Sequence, residues 1–261
     1  MTSAAESNTA SSKQRPMWRN WAEVLRTQNL SSDQTMDMVS RWLLITRASV
    51  FPMTITSGVL GGLLAVAGPT PAAANWFFLA LALFGLVLAH AANNMINDYF
   101  DLAGGVDSAN YVRGQYAPHP ILNGLVSKGG LIAAIAVVNA IDLAILVYLG
   151  TERGPLVYVF ALAGLFISVF YVAPPLKLKH HGFGEPGVFL VWGPLMIAGT
   201  YFVTTGAAPA WVFAASLPYA LLVTVVLFGK HIDKLEADAA KGIHTLPVLL
   251  GETQARFVAQ A

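Results

Sequence analysis

From Ala48 to Asn97 the chain runs fifty residues without an Asp, Glu, Lys or Arg. No other feature restricts its fold as much. A helix on the surface of a water-soluble domain needs a polar face for solvent, and fifty uncharged residues hold two helices without a charged side chain between them. A bilayer-spanning helix needs about 20 mostly apolar residues. The run therefore reads as two membrane spans joined by "GPTPAAAN" (68–75). The whole chain agrees, with 56% hydrophobic and 11% charged residues, where a soluble domain carries about 25% charged residues.

The expected architecture is an all-α integral membrane bundle. Six windows are long and apolar enough to span: 48–67, 76–96, 131–149, 155–173, 187–205 and 209–229. The closing "ETQARFVAQA" reads as the start of a seventh span, so the chain looks truncated at its C-terminus. Short connections (68–75, 150–154, 205–209) alternate with long polar ones (97–130, 174–186, 230–250). With the N-terminus and the long loops on one side, fourteen of the fifteen Lys and Arg residues lie there, and Arg153 alone lies opposite. The positive-inside rule makes that side cytoplasmic, in a multi-pass protein of the cell membrane.

Residues 1–16 are polar, small and without an apolar stretch, which predicts a disordered N-terminus rather than a signal peptide. Residues 17–47 mix Trp18, Trp21, Trp42 and leucines with Arg19, Arg26, Arg41 and Arg47. That mixture predicts one or two amphipathic helices at the bilayer interface. Cysteine is absent, which excludes disulfides and thiolate chemistry. A net charge of +1 provides no basic field for nucleic acid.

Acidic residues then crowd the cytoplasmic ends of two spans. In "NNMINDYFDLAGGVD", Asn94, Asn97, Asp98 and Asp101 follow i, i+3, i+4, i+7 spacing and share one helical face. Such a stripe of oxygens suits a hard divalent cation, Mg²⁺ above all. Asp107 follows two glycines that let the chain turn back. The bland alternative is a solvated helix end with local caps. In the second cluster, "KHIDKLEAD" (230–238), Asp233 and Glu236 are three apart. On a continuous helix Asp238 falls almost opposite Asp233 and shares a face with His231. An ion-pair lattice would also explain this segment. Two acidic clusters on one side suit a diphosphate bridged by two Mg²⁺ ions. The basic loop "YVAPPLKLKHHGFGE" adds Lys177 and Lys179 as point charges for that anion, with Arg113 a third. Membrane anchoring alone would also account for the lysines. Neighbouring His180 and His181 point in different directions, a poor arrangement for one metal. Asp142 is the single acid inside a span and has no partner near it in sequence.

In order, these pieces resemble the UbiA superfamily of membrane prenyltransferases. "NDYFDLAGGVD" resembles its first Asp-rich motif, in the spacing of the 1,4-dihydroxy-2-naphthoate prenyltransferases of menaquinone synthesis. "YVAPPLKLKHHGFGE", "GVFLVWGPLMIAGTYFVTTG" and "KLEADAAKGIHTLPVLLG" resemble the loop, helix and second motif that follow. The resemblance covers about Arg47 to Gly251. It implies a transmembrane prenyltransferase domain over 48–261 and a fold of about nine spans, where this chain supplies six and a start. It implies transfer of an isoprenyl group from an isoprenyl diphosphate to an aromatic acceptor, with Mg²⁺ held by Asn97, Asp98, Asp101 and Asp238. Asp107, Asp233, Asn94 and Glu236 are further candidates, and Tyr171 would position the diphosphate or stabilise positive charge. One departure stands out. Lys234 occupies the place where the family pattern has an Asp four residues before Asp238. Other acceptors within the family (4-hydroxybenzoate, a chlorophyll-type alcohol, haem, a sugar or glycerol phosphate) remain open. A cation transporter would need acids lining a path on both sides of the membrane, whereas both clusters lie on one side and the opposite loops are nearly uncharged. A non-catalytic homologue is the third reading.

Overall fold

A computed structural model describes residues 15–106 and 117–260. Asp107 and Arg113 lie outside the described residues. All regular structure among the described residues is helical. Two short helices open it, α1 (Met17–Thr27) and α2 (Met38–Ile45). Asp37 caps α2, accepting from the Ser40 N–H at 3.0 Å and from the Trp21 indole at 2.9 Å, which fastens α1 to α2.

Five helical segments are long and apolar enough to cross a membrane: 48–67, 76–103, 128–153, 184–205 and 210–232. They contain α3 (Phe51–Ala67), α4 (Trp76–Ala103), α5 (Lys128–Arg153), α7 (Gly184–Leu190) with α8 (Gly199–Thr205), and α9 (Ala210–Ile232). The sixth expected span, α6 (Leu156–Phe170), has 15 residues, about 22 Å of helix. This is a multi-pass membrane protein. Three short helices follow, α10 (Leu235–Ala240), α11 (Leu246–Leu250) and α12 (Glu252–Gln260).

Small residues let the spans approach closely. On α3, Thr54, Ser57, Gly58, Gly61, Gly62 and Ala65 are buried in a stripe three to four residues apart. A side chain at Gly61 would stand 2.5 Å from the Ile197 carbonyl oxygen and 2.9 Å from the Tyr201 nitrogen. Without a hydrophobic force between helices in lipid, such backbone approach is what holds them together. Between α7 and α8 the helix widens to a π-helical stretch, Val191–Ala198, around Pro194. Proline has no N–H to give the ladder, and such widenings often occur at functional sites. At the far end Arg153 donates to the Val203 and Thr204 carbonyls at 2.7 and 3.1 Å, capping α8 with a cation.

α5 and α6 present Val147, Val159 and Phe166 outward, away from the cavity. In a bilayer these are lipid-facing positions. Side chains of α4 to α9 line a cavity.

Candidate active site

The cavity has a volume of about 440 Å³, within the usual range for small-molecule sites. Its two ends differ. Leu86, Leu146, Leu149, Phe160, Leu195 and Val203 line the apolar part. Side chains from α4, the basic loop and the α9–α10 turn crowd the polar end, which lies where the expected cytoplasmic loops meet.

α4 continues unbroken through the first acidic cluster to Ala103. Asn94, Asn97 and Asp101 line the cavity. The Asn94 amide donates to the Thr46 carbonyl at 2.9 Å, so Asn94 also ties α4 to the end of α2. Asp98 is fully buried and ion-pairs with the Arg47 guanidinium. Lys179 Nζ sits 3.1 and 3.3 Å from the two Asp101 carboxylate oxygens. The Asn97 side-chain oxygen is buried and accepts no hydrogen bond among the described residues.

Past α4, Gly105 takes φ +72°, which few side chains tolerate, and Val106 N–H returns to the Asp101 carbonyl at 2.8 Å. Lys241, beyond α10, donates to the Val106 carbonyl and to the Gly105 carbonyl. The two acidic segments are thereby tied together. The basic loop joins them where His244 N–H donates to the His180 carbonyl at 3.1 Å. Glu185, 1% exposed, pairs with His231 Nδ1 at 2.6 Å and accepts from Leu246 N–H at 3.4 Å. One buried carboxylate thus links α7, α9 and α11.

The second cluster is not a continuous helix. α9 ends at Ile232, Lys234 N–H turns back to the His231 carbonyl at 3.2 Å, and α10 starts at Leu235. This corrects the continuous-helix expectation. The break carries Lys230, His231, Lys234 and Asp238 to the cavity wall. Asp233 and Glu236 are exposed and off that wall. Asp238 is buried.

Tyr171, just past α6, and Lys179 line the cavity, whereas Lys177 stands outside it. Burial, and the negative charges of Glu185, Asp101 and Asp238, push the Tyr171 phenol well above its ordinary pKa. Neither His180 nor His181 reaches the cavity wall. Burial, then Lys179 beside it, lowers the His180 pKa.

Several cavity residues carry no functional signal in the local sequence. Arg47 reads as an interfacial charge, although it is the last cation before the uncharged run. His90 is buried in the wall, 2.8 Å from the Thr54 hydroxyl, which also accepts from the Trp192 indole at 3.0 Å. Asn93 is held by Ser168 at 2.7 Å. Asp142, which the sequence does single out as the acid inside a span, faces the cavity from α5, packed so near Gly85 that an added side-chain carbon there would lie 2.9 Å from its Oδ1.

The oxygen donors suit Mg²⁺. Asn97, Asp101 and Asp238 all line the cavity, and the Asn97 oxygen accepts no hydrogen bond from the described residues. Among the described residues no three His, Asp or Glu side chains form a preformed metal cage. Mg²⁺ commonly binds through one or two carboxylates and is completed by substrate phosphate.

Residues 55–261 match the UbiA prenyltransferase family model. The chain belongs to the UbiA prenyltransferase family. Among curated relatives of this UbiA chain, UbiA prenyltransferase domain-containing protein 1 of Dictyostelium discoideum is 24% identical over 89% of the chain and 71% of its own length. The 1,4-dihydroxy-2-naphthoate octaprenyltransferase of Bacillus subtilis (strain 168) is 29% identical over 67% of the chain, which spans about half of that relative, 55%. The solved structure of a UbiA homolog from Archaeoglobus fulgidus bound to GPP and Mg²⁺ superposes with a TM-score of 0.64 at 18% identity. The match covers 84% of this chain and 72% of that one. At that identity the likeness shows the fold.

Proposed function

We propose that this UbiA-family protein transfers an isoprenyl group from an isoprenyl diphosphate to an aromatic acceptor, and that Mg²⁺ is required. The cavity carries the reading. Three separate stretches of sequence converge on one polar end, and the apolar remainder is shaped for a hydrocarbon tail. The prenyl chain lies among Leu146, Leu149 and Phe160, with its diphosphate at Asn97, Asp101, Lys179 and Asp238.

Asn97, Asp101 and Asp238 would hold Mg²⁺, with Asp98 behind them. Bound there, the metal supplies Lewis acidity toward the leaving diphosphate. Lys179 and Arg47 add fixed positive charge where negative charge grows as the C–O bond breaks. The allylic carbon becomes cationic and the electron pair leaves with the diphosphate. An electron-rich ring carbon of the acceptor then bonds to it, and the ring loses a proton or, for a carboxylated acceptor, carbon dioxide. The apolar walls keep water from trapping the cation. Tyr171, a neutral hydroxyl, donates to the diphosphate.

For the acceptor we propose a 1,4-dihydroxy-2-naphthoate-like quinone precursor. The relatives named as its octaprenyltransferases, from Bacillus subtilis and Haemophilus influenzae at 29% and 25% identity, support that choice. We place the site on the cytoplasmic face of the cell membrane, on the strength of the Lys and Arg distribution.

The test is an acceptor panel. Purified full-length protein in lipid nanodiscs is given Mg²⁺, a radiolabelled prenyl diphosphate and each acceptor in turn. Labelled prenyl-naphthoate product that vanishes with EDTA is expected. Labelled product from 4-hydroxybenzoate alone would overturn the acceptor. Absence of product from every aromatic acceptor would overturn the reaction class.

A further inference from the structure

Among the described residues, four cationic heads line the polar end of the cavity, Arg47, Lys179, Lys230 and Lys234. Of the two carboxylates that line it there, Asp101 and Asp238, Asp101 is held by Lys179, and Asp98 is buried behind the wall against Arg47. The α9–α10 turn is the decisive element. Among the described residues it brings one carboxylate to the wall, Asp238, and with it two ammonium groups, Lys230 from the end of α9 and Lys234 from the turn. Its other acids, Asp233 and Glu236, point to solvent. His231 is directed away from metal binding at Nδ1 by its 2.6 Å contact with Glu185.

A second divalent cation on this side would sit beside Lys230 and Lys234 and meet like-charge repulsion. The same two side chains are well suited to the anion. Each ammonium is a compact charge with three donors, able to follow phosphate oxygens on a flexible stem.

We propose that Lys230 and Lys234 bind the substrate diphosphate directly, in place of a second metal ion, so that the site operates with a single Mg²⁺ held by Asn97, Asp101 and Asp238. This rests on the isoprenyl diphosphate reading above. It assigns a charge-balancing role to Lys234, the residue that departs from the family's acidic pattern.

Metal stoichiometry tests it without turnover. Full-length protein is saturated with geranyl thiolodiphosphate, which resists ionisation, and titrated with Mn²⁺ by electron paramagnetic resonance. One tight Mn²⁺ per chain is expected, rising to two in Lys234→Asp. Isothermal titration of the analogue at fixed Mg²⁺ should show about tenfold weaker binding for Lys230→Met and for Lys234→Met, with Lys234→Arg near wild type. Two tight Mn²⁺ ions per wild-type chain would overturn the proposal whatever the variants do. So would unchanged analogue affinity in both methionine variants, or a Lys234→Asp chain that still takes one Mn²⁺. Failure of the wild type to bind the analogue at all would overturn the diphosphate reading as well, and so separates the two.

Discussion

Arg47→Met keeps most of the side chain's length and removes the guanidinium that faces Asp98. The Asp98 side chain is 0% exposed and that of Arg47 24% exposed. Removing one partner of a buried ion pair costs about 3–5 kcal/mol, because the remaining charge has lost both its water and its counter-charge. Solvent reaches part of Arg47, so the expected loss lies near the lower bound, about 3 kcal/mol. Asp98→Asn in the same chain removes the charge that Arg47 no longer balances. The double variant should therefore recover about 2 kcal/mol relative to Arg47→Met alone. The assay is reversible unfolding in mixed micelles of rising SDS content, run for wild type, both single variants and the double variant. Divalent cations are left out, so that metal binding at Asp101 does not enter the cycle. A coupling below about 0.5 kcal/mol, the level at which independent sites add, would refute the argument that this pair locks α4 to the chain ahead of α3.

Asp101→Ala and Asp238→Ala should each lower Mg²⁺-dependent prenyl transfer at least a hundredfold, while the circular-dichroism melting curve stays near wild type. Gly61→Ala should cost about 1–3 kcal/mol in the same micelle titration, because the backbone of Ile197 and Tyr201 leaves no room for a methyl group. At the opposite end, Arg153→Met strips the α8 carbonyls of their cap and should lower the melting temperature by a few degrees without changing diphosphate affinity. For Asp37, burial acts to raise the pKa, but hydrogen bonds from Ser40 and Trp21 outweigh it and hold the carboxyl at about 2, below its ordinary 3.8. A depressed carboxyl pKa contributes stability above the unfolded value, lost as pH falls through the folded one. The Trp21 indole N–H resonance should hold steady down to about pH 4 and then shift with its midpoint at about pH 2, with no such transition in Asp37→Asn.

How much of this was readable in the sequence depended on the range of each interaction. The first acidic stripe was legible because helical periodicity fixes which side chains share a face, and α4 does run through it. The alternation of short and long loops brought the right segments to one end. The break at Asp233–Lys234 was not legible, since no glycine or proline marks it and the backbone turns there through tertiary contacts. That break decides which members of the cluster face the cavity. Likewise Arg47 and Asp98 lie 51 residues apart, and Glu185 and His231 lie 46 apart. No local pattern announces such pairs. The short α6 departs from the expected 155–173 span because the chain turns at Tyr171, and that turn is what delivers the phenol to the cavity.

The central claim is that one Mg²⁺-assisted diphosphate site lies at the polar end of the cavity. A structure of the protein in complex with Mn²⁺ and geranyl thiolodiphosphate, with manganese located by anomalous scattering, tests it most directly. The account predicts a manganese peak coordinated by Asn97, Asp101 and Asp238, the diphosphate against Lys179, Lys230 and Lys234, and the geranyl chain along Leu146 and Phe160. Manganese bound instead at exposed Asp233 and Glu236, or a geranyl chain outside the cavity, would contradict it.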